Sequence, residues 1–223
     1  MAVATITAFD LDGTLLNGQS GTLVLGYLMR HRYISAKTFA RCAWWGARFK
    51  LHLPFRQNEV REHIFAELSR FSVPEVQAIM DDFHREVMVP RYREAGIRTL
   101  REHVANGEHV ALVSATFDQI AQAAREFLGC EVAHATKMQL NAEGRFTGNV
   151  DGNTIAGPAK LGCIRRWADE TFGAGGWELA FAYGDHFTDV PMLEAARTCY
   201  AVNPGPTLKR EALRRGWQIL DWK

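Results

Sequence analysis

Short apolar runs alternate with helical patterns along most of the chain. Runs of strand length lie at residues 6–9, 109–113, 131–135, 179–183, 199–202 and 217–220. Helical patterns separate them, at Asp118–Leu128, Pro158–Phe172, a short stretch at 191–196 and Pro206–Arg215, and residues 138–150 read as a hairpin turning at 141–144. Repeated strand–helix units of this kind predict an α/β fold with a doubly wound, Rossmann-like parallel sheet.

The alternation stops after the first strand, and about seventy residues then carry helical patterns alone. We predict helices at 23–29, after Ser35, at 57–68 and after Ser72, where Ser-Val-Pro-Glu forms a capping box. Pro90 ends or kinks the last one before a further helix, 91–105. The chain therefore divides into a core domain, residues 1–16 and 91–223, and an inserted all-helical domain, residues 17–90, called the helical insertion below.

Two aspartates close the first apolar run. Asp10 and Asp12 follow Phe9 directly, and Gly13 permits a sharp turn after them. Ligands bind at the carboxyl edge of an open parallel sheet, so two carboxylates there are well placed for chemistry. Asp and Gly are also common turn residues, and this pair alone would support either interpretation equally.

Three further polar segments follow in order. Ser114-Ala115-Thr116 closes the run at 109–113, Lys160 lies in the first turn of a helix, and Gly184-Asp185 to Asp189 closes the run at 179–183. The ordered set resembles the motifs of the haloacid dehalogenase superfamily, over nearly the full chain. It is most similar to the phosphoserine-phosphatase-like branch, in which a helical cap follows the first strand.

The resemblance implies a magnesium-dependent phosphomonoester hydrolase. Asp10 would attack phosphorus and form an aspartyl-phosphate, which divides hydrolysis into two easier steps. Asp12 would protonate the leaving oxygen and later take a proton from water. Mg²⁺ would be held by the Asp10 carboxylate, the Asp12 backbone carbonyl and the Asp185 carboxylate, an all-oxygen ligand set.

The remaining motif residues receive supporting roles from the same resemblance. Ser114, the backbone N–H of Ala115 and the backbone of Thr14 would bind phosphoryl oxygens, and Lys160 would neutralise charge. Asp189 would orient Lys160 or a metal-bound water. From the residues alone, Ser114 could instead be a helix cap, Lys160 a surface lysine and Asp189 a helix N-terminal charge.

The chain departs from phosphoserine phosphatases at three positions. Gln19 stands where those enzymes carry an acidic residue for the substrate ammonium, Thr188 replaces an amide, and Ala115 replaces a glycine. A simple amino-acid phosphate is therefore disfavoured unless a carboxylate of the insertion, Glu59, Glu62 or Glu67, reaches the site.

Composition excludes several classes of protein. The chain has 223 residues, 47% of them hydrophobic, and a net charge of +1, so nucleic acid is not an expected partner. No apolar run approaches the roughly 20 residues that span a bilayer, and no secretory signal is visible. Four scattered cysteines indicate reduced thiols. We expect a cytoplasmic enzyme acting on a phosphorylated small molecule.

Charge is unevenly distributed in the insertion. Residues 13–58 contain no Asp or Glu but seven cations, Arg30, Arg32, Lys37, Arg41, Arg48, Lys50 and Arg56. Three interpretations are open. The cations could form a solvated helix face, or a positively charged entrance that attracts an anionic substrate. Together with Trp44 and Trp45, they could instead contact an anionic membrane. The last possibility would suit a lipid-linked phosphate at a membrane surface.

One rival shares the chemistry of hydrolysis. A phosphotransferase of the same fold uses the same intermediate but passes the phosphoryl group to an alcohol. A dehalogenase of this fold would need neither Asp12 as an acid nor Asp185 as a metal ligand, so the presence of both argues against one.

Overall fold

A computed structural model describes residues 3–51, 53, 56 and 58–223, without the side chains of Phe49 and Lys50. Six parallel strands form one sheet in the order β3-β2-β1-β6-β7-β8, and β4 and β5 form a separate antiparallel hairpin. The strands are β1 Ala4–Phe9, β2 His109–Phe117, β3 Val132–Thr136, β4 Met138–Leu140, β5 Phe146–Val150, β6 Trp177–Gly184, β7 Thr198–Val202 and β8 Gln218–Leu220. The predicted fold class and hairpin are confirmed.

Helices cover the sheet and make up the insertion. In chain order the helices are α1 Ser20–Arg30, α2 Ala36–Lys50, α3 Glu59–Leu68, α4 Val73–Phe83, α5 Glu94–Ala105, α6 Asp118–Leu128, α7 Pro158–Phe172, α8 Val190–Ala195 and α9 Pro206–Arg215. None of these described helices is long and apolar enough to cross a membrane.

The position of β1 in the sheet defines the functional edge. The chain moves outward from β1 to β2 and β3, then returns to place β6 on the other side of β1. The strand order therefore reverses beside β1, which makes this point the topological switch where a crevice opens at the carboxyl edge.

Element boundaries differ from the predictions where local chemistry intervenes. The strand predicted at 109–113 continues to Phe117, through a bulge. The helix predicted at 91–105 begins at Glu94, because a π-helical turn, His84–Met88, and a 3-10 turn, Val89–Arg91, carry the chain past Pro90. Helix α3 begins at Glu59, and the predicted start at residue 57 lies outside the described residues.

The insertion and the sheet share one apolar cluster. Leu28, Phe65 and Met80 from the insertion belong to the same buried cluster as Phe9 and Leu112 from the sheet. The capping box of α4 is present, with the Ser72 backbone N–H donating to the Glu75 carboxylate at 2.7 Å. The division into two domains remains a prediction, and the shared cluster indicates that the insertion packs tightly on the core.

A buried histidine gives the fold a testable acid sensitivity. His84 is buried, contacts the Tyr92 hydroxyl at 3.0 Å, and burial lowers its pKa from 6.5 to about 4. The unfolded chain takes up this proton at a higher pH than the folded chain, so stability falls as pH drops from 6.5 towards 4. We expect a loss on the order of 3 kcal/mol across this range from His84 alone. In urea unfolding, the free energy of unfolding of His84→Gln should depend less on pH than that of wild type. Replacing the exposed His31 should leave the wild-type dependence unchanged. The same pH dependence in wild type and His84→Gln would contradict this origin.

Candidate active site

Strand register brings the predicted acidic residues to one edge. Phe9 of β1 pairs with Leu112 of β2 and Tyr183 of β6, and the Asp10 N–H donates to the Tyr183 carbonyl at 3.0 Å. Asp10 therefore leaves the sheet level with the start of the Gly184-Asp185 segment. The Ser114 segment lies in the last part of the neighbouring strand β2, at the same edge.

Lys160 joins two of the aspartates. Its Nζ donates to Asp10 Oδ1 at 2.5 Å and to Asp189 Oδ1 at 2.6 Å, and its side chain is only 5% exposed. Burial alone would lower the pKa of Lys160, but the two carboxylates outweigh it and hold the pKa above its ordinary value. The lysine is thus a charged, buried member of the cluster and not a surface lysine.

One carboxylate oxygen from each of Asp10, Asp185 and Asp189 lies within 4.8 Å of the other two. Burial raises the pKa of Asp10, and Lys160 only partly offsets this while the other two carboxylates add to it. Burial, and then Asp189, raises the pKa of Asp185 to about 7. Three carboxylates against one lysine leave excess negative charge, and hard oxygen donors of this kind suit Mg²⁺.

Gly13 allows the loop after β1 to lie directly against Asp185. Its φ is +84°, and a Cβ there would lie 2.0 Å from Asp185 Oδ2. The Gly13 N–H also closes the loop by donating to the Leu16 and Gly18 carbonyls, at 2.9 and 3.0 Å. Both the backbone conformation and the space therefore require glycine at this position.

Thr14 contacts the predicted nucleophile itself. Its buried hydroxyl donates to Asp10 Oδ2 at 3.3 Å, on the carboxylate oxygen opposite to the one that Lys160 holds. The sequence predicted only a backbone role for Thr14. The side chain additionally restrains the orientation of the Asp10 carboxylate.

Asp12 is oriented by a residue that the sequence interpretation missed. Ser20, the first residue of α1, donates from its backbone N–H to Asp12 Oδ1 and from its hydroxyl to Asp12 Oδ2, both at 2.8 Å. The Ser20 and Thr116 hydroxyls lie 2.7 Å apart. Burial raises the pKa of Asp12 despite these bonds, which favours the protonated acid.

A bulge shapes the Ser114 segment. Val113 pairs with His134 and Phe117 with Thr136, so three residues of β2 oppose one of β3. Ser114 is buried, and its Oγ accepts from the Thr116 N–H at 3.1 Å. The bulge takes Ser114 and Ala115 out of the regular ladder at the edge where Asp10 lies.

Helix α3 contributes a cation that sequence analysis did not single out. Arg61 donates from Nη2 to the Ala115 carbonyl at 2.7 Å. Burial lowers the pKa of Arg61, and the nearby Asp12 carboxylate opposes this. Only the packing of α3 on the sheet distinguishes Arg61 from the other arginines of the insertion.

Asp189 holds its neighbours in place through both of its oxygens. Oδ1 accepts from Lys160, and Oδ2 accepts from the His186 N–H at 3.1 Å. A Cβ at Gly184 would lie 2.7 Å from Asp189 Cβ, so that glycine lets the two segments approach. The orienting role of Asp189 requires this contact with Lys160, and the role itself stays a prediction.

The acidic residues considered for a substrate ammonium pair with other residues of the insertion. Glu59 accepts from Arg48 at 2.7 Å and Glu62 from Arg56 at 2.8 Å, while the Ser35 and Thr38 hydroxyls donate to Glu67. Gln19 is exposed just before α1.

Two cations of the stretch without Asp or Glu, Arg48 and Arg56, therefore form ordinary ion pairs with α3. Lys37, Arg41 and Trp44 recur at helical spacing on one exposed face of α2, and Trp44 is 58% exposed. The side chain of Lys50 lies outside the described residues.

Comparison with known proteins agrees with the motifs. A model of haloacid dehalogenase-like hydrolases matches residues 7–194. The phosphoserine phosphatase SerB1 of Mycobacterium tuberculosis is 28% identical over 96% of this chain and 70% of its own length. The histidinol-phosphatase of Neisseria meningitidis is 25% identical over 98% of this chain and 99% of its own.

A solved structure matches the whole chain. It belongs to a protein of unknown function from Bordetella pertussis Tohama I, which is 28% identical, with a TM-score of 0.88 over 99% of both chains. The helical insertion and the sheet of that protein therefore share the arrangement seen here.

Proposed function

The chain belongs to the haloacid dehalogenase-like hydrolase family, and we propose that it is a phosphoric monoester hydrolase that forms an aspartyl-phosphate on Asp10. One observation carries the proposal: Lys160 is buried between Asp10 and Asp189 at the switch point of the sheet. A buried lysine that is held by two carboxylates at the edge of a cleft indicates a functional site that stabilises charged groups.

The first step transfers the phosphoryl group to the protein. An Asp10 oxygen attacks phosphorus, the ester P–O bond breaks, and the leaving oxygen takes the proton of Asp12. Thr14 and Lys160 hold the two Asp10 oxygens, which fixes the direction of attack.

The second step releases inorganic phosphate. Asp12, now ionised, takes a proton from water as the water oxygen attacks phosphorus. The bond between phosphorus and the Asp10 oxygen breaks, and Asp10 returns as a carboxylate. Ser20 keeps the Asp12 carboxylate in one orientation through both steps.

We propose Mg²⁺ as the cation that the carboxylate excess requires. Asp10, Asp185 and the Asp12 backbone carbonyl would hold it, with Asp189 orienting Lys160 beside it. When bound, it supplies positive charge against the phosphate and the nucleophile. Ser114 and the Ala115 N–H would bind phosphoryl oxygens at the bulge.

The substrate is proposed to be a small organic phosphate. The names of the relatives place phosphoserine and histidinol phosphate first in a screen, although the departures at Gln19, Thr188 and Ala115 disfavour a simple amino-acid phosphate. Arg61 near Asp12 favours an ester with a second anionic group. Phosphate release from both esters, phosphoethanolamine, sugar phosphates and nucleotides, with Mg²⁺, tests the proposal. Release equal to the alcohol formed supports hydrolysis, and transfer to added alcohols instead would indicate a phosphotransferase.

We also propose a cellular location and a weak surface contact. All four cysteines, which lie in the described part of the chain, are free thiols, in keeping with the reducing cytoplasm. The exposed face of α2 combines Lys37 and Arg41 with Trp44, the mixture that favours an anionic lipid surface.

Vesicle sedimentation tests this contact. Wild-type protein should sediment with anionic vesicles at low salt, and Lys37→Glu with Arg41→Glu should stay in the supernatant, because each cation near such a surface contributes about 1 kcal/mol. Both proteins should ignore neutral vesicles. The doubly reversed protein keeps its catalytic residues and should hydrolyse soluble esters normally. A wild type that sediments with neither kind of vesicle leaves only a solvated helix face.

A further inference from the structure

The β4–β5 hairpin lies directly on the backbone of α3. Gly148 of β5 has a φ of +88°, and a Cβ there would lie 3.1 Å from Ala66 Cα and 3.3 Å from Ala66 N. These are backbone atoms of α3 and cannot rotate away as a side chain would. A Cβ at position 148 therefore requires the helix and the hairpin to separate by a few tenths of an ångström, and a larger side chain requires more.

An aromatic contact fixes the same helix from two sides. Phe65 of α3 is fully buried, and its ring packs against Phe146 of β5 at 5.0 Å and against Phe117 at the end of β2 at 4.7 Å. The helix is thus held between the hairpin and the end of β2, just after the Ser114 bulge.

The same helix carries Arg61, one turn before Phe65. Residues four apart share a helix face, so the aromatic contacts and the arginine move together. Arg61 reaches the Ala115 carbonyl only while α3 keeps its present distance from β2. At the base of the helix, Thr154 donates to the Asn58 side chain at 2.5 Å, which ties α3 to the segment that leads into the Lys160 helix.

We propose that Gly148 is a positioning residue, through which the hairpin sets the place of Arg61 beside Asp12 and so controls substrate binding. The kinetic part of this inference rests on the proposed function. The substituted glycine touches neither the aspartate cluster nor Lys160. A shift of α3 should therefore alter KM while the chemical step is largely kept.

The test is Gly148→Ala compared with Gly144→Ala. Gly144 lies in the turn of the same hairpin with a φ of +72°, but a Cβ there meets nothing within 4 Å. Both substitutions place a side chain at a positive φ, and only the first meets α3. We expect Gly148→Ala to raise KM about five- to tenfold with kcat little changed, and Gly144→Ala to leave both near wild type.

A double-mutant cycle shows whether the effect passes through Arg61. In an Arg61→Met background, Gly148→Ala should raise KM no further, because the residue that it displaces is already gone. An undiminished effect in that background, or equal KM values for the two glycine variants, overturns the proposal. Phe146→Leu provides a second variant that loosens the same contact, and unchanged KM there together with an unfolded Gly148→Ala also overturns it.

Hydrogen exchange separates this inference from the proposed function. If wild type hydrolyses no phosphate ester, the proposed function fails, and the hairpin is then judged by amide exchange in α3 alone. Faster exchange in Gly148→Ala than in Gly144→Ala supports the hairpin as the clamp on α3. Equal exchange in the two variants contradicts it.

Discussion

Replacing Asp10 with asparagine is expected to lower turnover by roughly 10⁴- to 10⁶-fold, the loss typical of a removed nucleophile. The amide cannot form the acyl phosphate, although it fills the same space between Lys160 and Thr14. Steady-state phosphate release with Mg²⁺ measures the loss. Binding of a beryllium fluoride phosphate mimic should disappear as well, because that mimic bonds to the carboxylate.

The stability of the same variant distinguishes chemistry from folding. Burial raises the pKa of Asp10, and two neighbouring carboxylates repel it, so removing its charge should leave the metal-free Tm unchanged or higher. Asp151→Asn, at an exposed aspartate after β5, is the control and should match wild type in both respects. Near-normal turnover of Asp10→Asn would remove Asp10 from the nucleophile role.

Asp12→Asn should have an effect that depends on the leaving group. We expect a loss of roughly 10²- to 10⁴-fold on an alkyl phosphate and a much smaller one on an aryl phosphate such as p-nitrophenyl phosphate. An alkoxide needs a proton as it leaves, whereas a nitrophenolate does not. Asparagine retains an acceptor for the Ser20 N–H, so the loop should keep its shape.

The ratio of the two losses is the decisive quantity for Asp12. Equal losses on both esters would mean that Asp12 acts through structure or metal binding and not as an acid. Ser20→Ala is a useful companion, since it removes one of the two bonds that orient Asp12. It should show a weaker form of the same leaving-group dependence.

The fold was predictable because its signals are local. Strand-length apolar runs, the capping box at Ser72 and the turn in the hairpin each depend on a few adjacent residues, and all appear in the structure. The closeness of the acidic motifs in space could be predicted because the carboxyl ends of parallel strands meet at one edge of the sheet. Boundaries moved where distant geometry intervened, as at the bulge that carries β2 on to Phe117.

The supporting residues of the site could not be predicted in the same way. Ser20 is an ordinary helix-start serine until the loop after β1 turns back and presents Asp12 to it. Arg61 resembles the other arginines of the insertion until α3 packs on β2. In the sequence, Gly148 is only a residue that weakens a strand. The need for a glycine there becomes visible when α3 packs against position 148. Each of these depends on contacts between residues far apart in sequence.

The basic stretch of the insertion shows a further limit of sequence interpretation. Seven cations without a nearby acid suggest a positive surface, yet Arg48 and Arg56 pair with Glu59 and Glu62 of α3. Counting charged residues along the sequence does not show that acidic residues of the next helix neutralise them. Among the described side chains, four cations of this stretch have no acidic partner within ion-pair distance: Arg30, Arg32, Lys37 and Arg41.

The most direct test of the central claim is chemical trapping of the aspartyl-phosphate. Wild-type protein turning over a substrate with Mg²⁺ is quenched in acid and reduced with borohydride, which converts an acyl phosphate to an alcohol. Peptide mass spectrometry should then find homoserine at position 10, only when substrate is present and never in Asp10→Asn. Modification at a different residue, or none during active turnover, would contradict the assignment of Asp10 as the nucleophile.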